Sequence, residues 1–249
     1  MTGLLTITDL THAYGGLTAL DAVSLELAEG SRHAIVGANG AGKSTLLGLV
    51  AGTIRPPSAG RIQLAGRDIT GWDPARRARS GIACTFQHPA VFDSLSAADN
   101  IVVAAWRHAR RHAGWGMGRR RRLAAHGHAI LADLGLAGCA DQPAGALAYG
   151  QRRVLELGMA LAGHPRLLLL DEPAAGLTPD DHQQLLAALR GLPPQVAVLL
   201  VDHHLSIVKA LAATVTVLRD GRAVLTGPVD DVLADPAFRD AYLRTAVVT

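Results

Sequence analysis

A chain of 249 residues with 49% apolar content is long enough for one large domain or two closely associated lobes, and its composition gives no support to disorder. Two cysteines, Cys84 and Cys139, are too few for a disulfide framework, so a reducing cytosol is expected. The net charge of +3 is unevenly placed: residues 107–122, RHARRHAGWGMGRRRR, hold seven arginines and no acid, and without them 17 basic residues would face 21 acidic ones.

The first residues, MTGLLTITDL, lack both a basic stretch and an apolar core, so no secretory leader is expected. The following HAYGGLTALDAVSLEL alternates with the period of a strand, and that alternation alone is compatible with Tyr14 in a core. HAIVGANGAGKSTLL then reads as a strand, a glycine-rich turn and a helix. It contains G-x-x-x-x-G-K-[ST] as Gly37, Gly42, Lys43 and Ser44, a loop whose backbone N–H groups surround phosphate oxygens at a helix N-terminus. Lys43, one of only two lysines in the chain, is placed to reach the β- and γ-phosphates, and the Ser44 hydroxyl to ligate Mg²⁺. The expected nucleotide cradle comprises Gly37, Asn39, Gly40, Ala41, Gly42, Lys43, Ser44 and Thr45.

The arginine run comes next. A solvated helix pair, contact with an anionic membrane surface or a membrane-bound protein, and nucleic-acid contact all suit it, in that order of preference. Two tryptophans, Trp106 and Trp115, are too few for a base-stacking platform, and no nucleic-acid partner is expected. His108 and His112 stand one helical turn apart, with His126 and His128 nearby, yet no cysteine or carboxylate pair completes a metal set; solvated histidines are preferred.

GALAYGQRRVLE, residues 145–156, runs from small residues into a helix with Arg152 and Arg153 in its first turn, the form of an anion-binding helix N-terminus. Val154, Leu157, Gly158 and Leu161 keep the spacing of a helix face turned to a core. RLLLLDE is a continuous apolar strand of the kind found inside a parallel sheet. Asp171 at its end is placed to hold Mg²⁺, and Glu172 to polarise the water that attacks a γ-phosphate. GLPPQ at 191–195 is a loop between a helix and the strand VAVLLVD. The apolar runs hold about five or six residues, far from the ~20 of a membrane span.

Together these segments resemble the ATP-binding-cassette ATPases along nearly the whole chain. The resemblance implies an α/β fold with a P-loop (RecA-like) core, an antiparallel β lobe and a helical lobe at about residues 88–160, all within one domain spanning 1–249. It implies ATP and Mg²⁺ as cofactors. Gln87 in CTFQHPAVF would sense Mg²⁺ and the attacking water, and would lie on the loop that touches a membrane subunit. His203 in LLVDHHLSIV would contact the γ-phosphate, although His204 stands where the family usually has an acid. Tyr14 would stack on adenine, and Ala175, Gly176 and Leu177 would cross to a partner subunit. LAYGQ, Leu147–Gln151, is similar to the family's signature Leu-Ser-Gly-Gly-Gln, with Ala148 in place of the serine. In the family, two subunits pack head to tail, and the signature residues, here Ala148, Tyr149, Gly150 and Gln151, close over the partner's nucleotide.

The phrases GGLTALDAVSLEL, PAVFDSLSAADNI and DVLADPAFRDAYL resemble the importer branch for branched-chain amino acids, amides and urea, with ADQPAGALAYGQ leaning towards the urea type. That branch implies a homodimer, or a heterodimer with a related ATPase subunit, at the cytoplasmic face of the inner (plasma) membrane. Integral permease subunits and, indirectly, a substrate-binding protein would be its partners. The alternatives are a lipid-transport ATPase with the same single-cassette layout, or a soluble member acting on nucleic acid or ribosomes. Soluble members usually carry two cassettes or a long coiled-coil insertion, for which 249 residues leave no room.

Overall fold

The computed structural model describes residues 3–85, 89–109 and 117–238, and the side chains at 107–109 and 117–120 fall outside that description. In chain order, β1 (Leu5–Tyr14) and β2 (Leu17–Leu27) form a hairpin around Gly15 and Gly16. The phosphate-loop segment folds as β3 (Arg32–Gly37), a turn and α1 (Lys43–Ala51). β4 (Ala59–Leu64), β5 (Arg67–Asp68), α2 (Pro74–Arg79) and β6 (Ile82–Cys84) follow. The helices α3 (Ala97–Ala109), α4 (Met117–Asp133) and α5 (Tyr149–Leu161) come next. The last third alternates β7 (Leu167–Asp171), α6 (Pro179–Arg190), β8 (Ala197–Val201) and α7 (Leu205–Leu211), then β9 (Thr214–Arg219), β10 (Arg222–Pro228) and α8 (Val229–Ala234).

Two sheets result, so the chain is of the α/β class. β2-β1-β4-β5 is antiparallel, and the other sheet runs β10-β9-β3-β8-β7-β6. Its centre, β9-β3-β8-β7, is parallel. Two of these strands, β7 and β8, are near-continuous apolar runs, as strands inside a parallel sheet tend to be: Leu167 to Leu170 and Ala197 to Val201 are all buried.

The chain divides into two compact units. One comprises residues 1–82, 166–172 and 194–249, and the other residues 83–165 and 173–193. The first contains the parallel strands β3, β7, β8 and β9. The second contains α3, α4, α5 and α6.

Within the first unit, α1 is anchored from its C-terminal end. Its last carbonyls have no helical partner, and the buried Arg77 guanidinium donates to two of them, Leu49 O at 2.5 Å and Val50 O at 2.8 Å. The same side chain donates to Thr70 O at 2.9 Å and Trp72 O at 3.0 Å. A planar cation with five donors suits this cluster of carbonyls, and its charge complements the negative end of the helix.

The second unit has its own polar centre. The Asn100 amide, fully buried, accepts from Phe92 N–H at 2.8 Å and donates to Phe92 O and Ser96 O at 3.1 and 3.0 Å. Arg153 and Glu156, both buried on α5, pair at 3.3 Å.

β3 carries a buried histidine. His33 Nδ1 lies 2.7 Å from Thr214 Oγ1, and Nε2 lies 2.9 Å from Thr216 Oγ1. Burial lowers its pKa from 6.5 to about 4. The folded state therefore keeps His33 neutral where the unfolded chain has already taken up a proton, so stability falls as pH drops from about 6.5 to 4. Full expression of that shift is about 3 kcal/mol. Urea titrations at pH 7.5 and pH 4.5 should show a markedly smaller loss in His33→Gln than in the unsubstituted chain, and equal losses would exclude His33 as the acid-labile group.

Candidate active site

Three neighbouring strands of the parallel sheet deliver the first unit's chemistry at their carboxyl ends, where open α/β sheets place their ligand crevices. β3 ends at Gly37, β7 at Asp171, and β8 runs into Asp202 and His203. In the sheet, β8 lies between β3 and β7.

The turn after β3 exposes Asn39 and Gly40 and buries Ala41. Gly42 adopts φ +98°, and a Cβ there would lie 2.4 Å from Ala19 O, so the helix can start at Lys43 only after a glycine. Lys43 Nζ donates to Gly37 O at 2.8 Å and Ala38 O at 2.9 Å, which folds the ammonium into its own loop. Burial lowers its pKa, against the raising influence of Glu172 and then Asp171. Ser44, exposed, and Thr45 follow in the first turn of α1.

Asp171 Oδ1 is buried and has no hydrogen-bond partner among the described residues. Burial, then the neighbouring Glu172 charge, push its pKa up, while a hydrogen bond with Ser44 and the Lys43 charge oppose them. An unsatisfied carboxylate oxygen beside a hydroxyl, both hard oxygen donors, fits a Mg²⁺ ion. Glu172 sits in the left-handed region at φ +45°, and its N–H donates to Val201 O at 2.8 Å. Strained backbone of this kind persists where the surrounding structure enforces it, and it gathers at functional positions. Glu172 Oε1 lies 3.6 Å from His203 Nδ1.

Asp202 was not singled out in the sequence, although a second apolar strand running into an acid, VAVLLVD after RLLLLDE, was a readable signal. It is fully buried. Its Oδ1 accepts from His204 N–H at 2.8 Å and lies 2.8 Å from His204 Nδ1. The rings of His203 and His204 are 3.9 Å apart. His204 is thus tied to Asp202, while His203 is the histidine beside Glu172.

Tyr14 ends β1 with 49% of its surface exposed and meets His12 edge-on at 4.7 Å. It is an available ring rather than a core residue. Gln87 and most of the arginine run lie outside the described residues, as do His108 and His112 in their side chains. Arg121 and Arg122 are exposed.

The signature stretch belongs to the second unit. Ala148 caps α5 and is exposed; its N–H donates to Gln151 Oε1 at 3.0 Å. Tyr149 is 40% exposed. Gly150 faces Asp181 so closely that a Cβ would meet Oδ1 at 2.1 Å. Gly176 lies beside the Tyr149 ring, which places the Ala175–Leu177 loop next to the signature within this unit. The arginines depart from the sequence expectation of an anion-binding first turn. Arg152 donates back to Leu147 O and Gly145 O and pairs with Asp93 at 3.7 Å, and Arg153 is buried against Glu156. Both are engaged in holding the unit together, so anion attraction at this helix rests on its N-terminus. The α5 face is also more deeply buried than the spacing implied: Leu155 and Glu156 are inside, and Leu161 is only half-buried.

The family model described as ABC transporter matches residues 20–175. The chain is similar to a high-affinity branched-chain amino acid transport ATP-binding protein, BraF, of Pseudomonas aeruginosa, at 35% identity over 98% of both chains. It is also similar to a ribose import ATP-binding protein, RbsA 2, of Burkholderia cenocepacia, at 37% identity over 92% of this chain, which spans 44% of that longer protein. Among solved structures it resembles the ADP conformation of an ATP-binding cassette of an ABC transporter, with a TM-score of 0.84 and 26% identity, covering 98% of this chain and 99% of the other. A nucleotide-free ATP-binding cassette from an ABC transporter gives a TM-score of 0.82 and 26% identity over 96% and 98% of the two chains. With its phosphate loop and strand-end carboxylates in that frame, the chain belongs to the ABC transporter family and is one of its nucleotide-binding ATPases.

Proposed function

We propose that this chain is the ATP-hydrolysing subunit of a membrane importer, and that it acts as a head-to-tail dimer with a second copy or a related ATPase subunit. The observation that carries the reading is the meeting of Lys43, Asp171, Glu172 and His203 at the carboxyl ends of three neighbouring strands. ATP enters with its phosphates in the Gly37–Thr45 cradle and its adenine on the Tyr14 ring. Lys43 exchanges its two loop carbonyls for phosphate oxygens, a trade that leaves the ammonium buried but better compensated. Ser44 and Asp171, with Gln87, are the residues that would hold Mg²⁺, which offsets phosphate charge and aligns the leaving group. Glu172 orients and polarises the attacking water, and His203 contacts the γ-phosphate.

Ala148, Tyr149, Gly150 and Gln151 of one chain close over the nucleotide of the other, with the Ala175–Leu177 loop crossing to the partner. Each of the two anion sites in the sequence then serves the same phosphate group from opposite chains. Ala148 offers no hydroxyl, so γ-phosphate capture depends on the helix N-terminus. Among the described residues no helix is long and apolar enough to cross a membrane. Integral permease subunits would therefore supply the pathway, a substrate-binding protein would deliver the cargo to them, and this subunit would sit at the cytoplasmic face of the inner (plasma) membrane. The full-length similarity to BraF and the phrasing of the chain favour branched-chain amino acids, amides or urea as cargo over a sugar.

Glu172→Gln keeps shape and removes charge. ATP should still bind while turnover falls by at least ~100-fold, and the ATP-bound dimer should accumulate on size exclusion. Near-normal turnover would take Glu172 out of the role.

The composite site is tested by covalently linked dimers. Ala148→Asp suits the fold, because an exposed N-cap accepts aspartate well, yet it sets a carboxylate against the partner's γ-phosphate. Lys43→Ala and Ala148→Asp should each silence a homodimer. A linked pair of the two single variants has one intact site and should recover turnover. Wild type linked to the double variant should stay silent. The reverse pattern would put both loops on one nucleotide within one chain.

A further inference from the structure

Residues 202–204 read Asp-His-His, and the structure makes a donor set of them. Each offers one ligand atom, and these atoms lie within 4.8 Å of one another. Ligands on one tetrahedral zinc stand about 3.4 Å apart, so closure needs only small side-chain rotations. His203 and His204 have room for them, with 47% and 36% of their side chains exposed.

Asp202 contributes in two ways. Its Oδ1 lies 2.8 Å from His204 Nδ1, so an ion that displaces the proton between them would be shared by both atoms. Its Oδ2 is buried in a fully buried residue and has no hydrogen-bond partner among the described residues. Such charge is costly unless it is paired or coordinated. Glu172 Oε1, 3.6 Å from His203 Nδ1, stands ready as a further donor. The donor chemistry differs from that of Ser44 and Asp171. Imidazole nitrogens select zinc-like ions, whereas Mg²⁺ takes oxygen.

We propose that Asp202, His203 and His204 bind one Zn²⁺-type ion, and that the bound ion inhibits ATP turnover by holding His203 and Glu172 away from the nucleotide. The inhibitory half rests on the roles given to His203 and Glu172 above, and the binding half does not. The ion competes with the reaction from the side of the water and γ-phosphate, so inhibition persists at saturating Mg²⁺.

The test uses the full chain without a histidine tag, stripped of metal and free of nucleotide. Titration with Zn²⁺ is followed by calorimetry, and titration with Co²⁺ by visible absorption, which reports nitrogen ligation and low coordination number. One ion per chain is expected at the tight site. His204→Asn, checked for folding by its melting curve, should weaken binding at least ~10-fold. The zinc concentration that halves its turnover, relative to its own metal-free rate, should rise in step. His126→Asn, in the other unit beside His164 at 5.3 Å, should change neither quantity. Absence of one-to-one binding, or equal affinity in His204→Asn, would overturn the site. Binding that His204→Asn abolishes, together with zinc-insensitive turnover in the unsubstituted chain, would leave the metal site standing and overturn the role given to His203.

Discussion

Charge balance at the ends of β3, β7 and β8 is the constraint on which the first unit's chemistry depends. Asp171, Glu172 and Asp202 are brought to one place by the apolar, buried runs of β7 and β8, and Lys43 is the lysine that stands among them. Burial disfavours the ionised carboxylate and the close like charge of Glu172 disfavours it further, so both push the Asp171 pKa upwards. Lys43 answers only part of that excess, and it answers from its own loop, where Gly37 O and Ala38 O hold its ammonium. A site arranged this way is short of cations. It gains most from a ligand that arrives with a dication and with phosphate oxygens for the lysine, and MgATP supplies both.

The same site demands a rigid support, and α1 provides it unequally at its two ends. Its N-terminal N–H groups are left for the ligand. Its C-terminal carbonyls are taken up by Arg77, whose guanidinium also fastens Thr70 and Trp72. A helix whose negative end is neutralised inside the fold presents its positive end without competition. The Glu172 backbone shows the complementary cost. Its left-handed conformation is held by the hydrogen bond to Val201 O, so β8 sets the direction in which that carboxylate points.

Legibility in the sequence followed locality. The β3-turn-α1 phosphate loop, the apolar β7 with its acidic end, and the helix after Gly150 were readable because each is encoded by contiguous residues of fixed period. Arg77 was not, because a basic helix surface and a buried guanidinium bound to four carbonyls look alike until α2 packs onto α1. Arg152 and Arg153 misled for the same reason. Their place in a first turn suggested anion contact, and only the fold of the second unit shows Asp93, Glu156 and the Gly145 and Leu147 carbonyls claiming them. Asp202 went unnoticed beside two histidines, although its burial makes it as influential as either.

Ala148 illustrates how one position can be relaxed for folding and still constrain function. A serine at a helix N-cap stabilises by about 1 kcal/mol relative to alanine, by accepting from an N–H of the first turn. Here that acceptor is missing, yet the reciprocal half of the cap is kept, since Gln151 Oε1 accepts from Ala148 N–H at 3.0 Å. The buried face of α5, with Val154, Leu155 and Leu157, contributes several times the lost cap energy. The helix therefore forms without the serine. Phosphate capture has no such reserve, because no buried area compensates for a missing donor to an anion. In the proposed head-to-tail dimer the loss at Ala148 would fall on closing over the partner's nucleotide rather than on the fold, and attraction would pass to the helix N-terminus at Gly150, where Asp181 crowds the backbone and excludes any side chain.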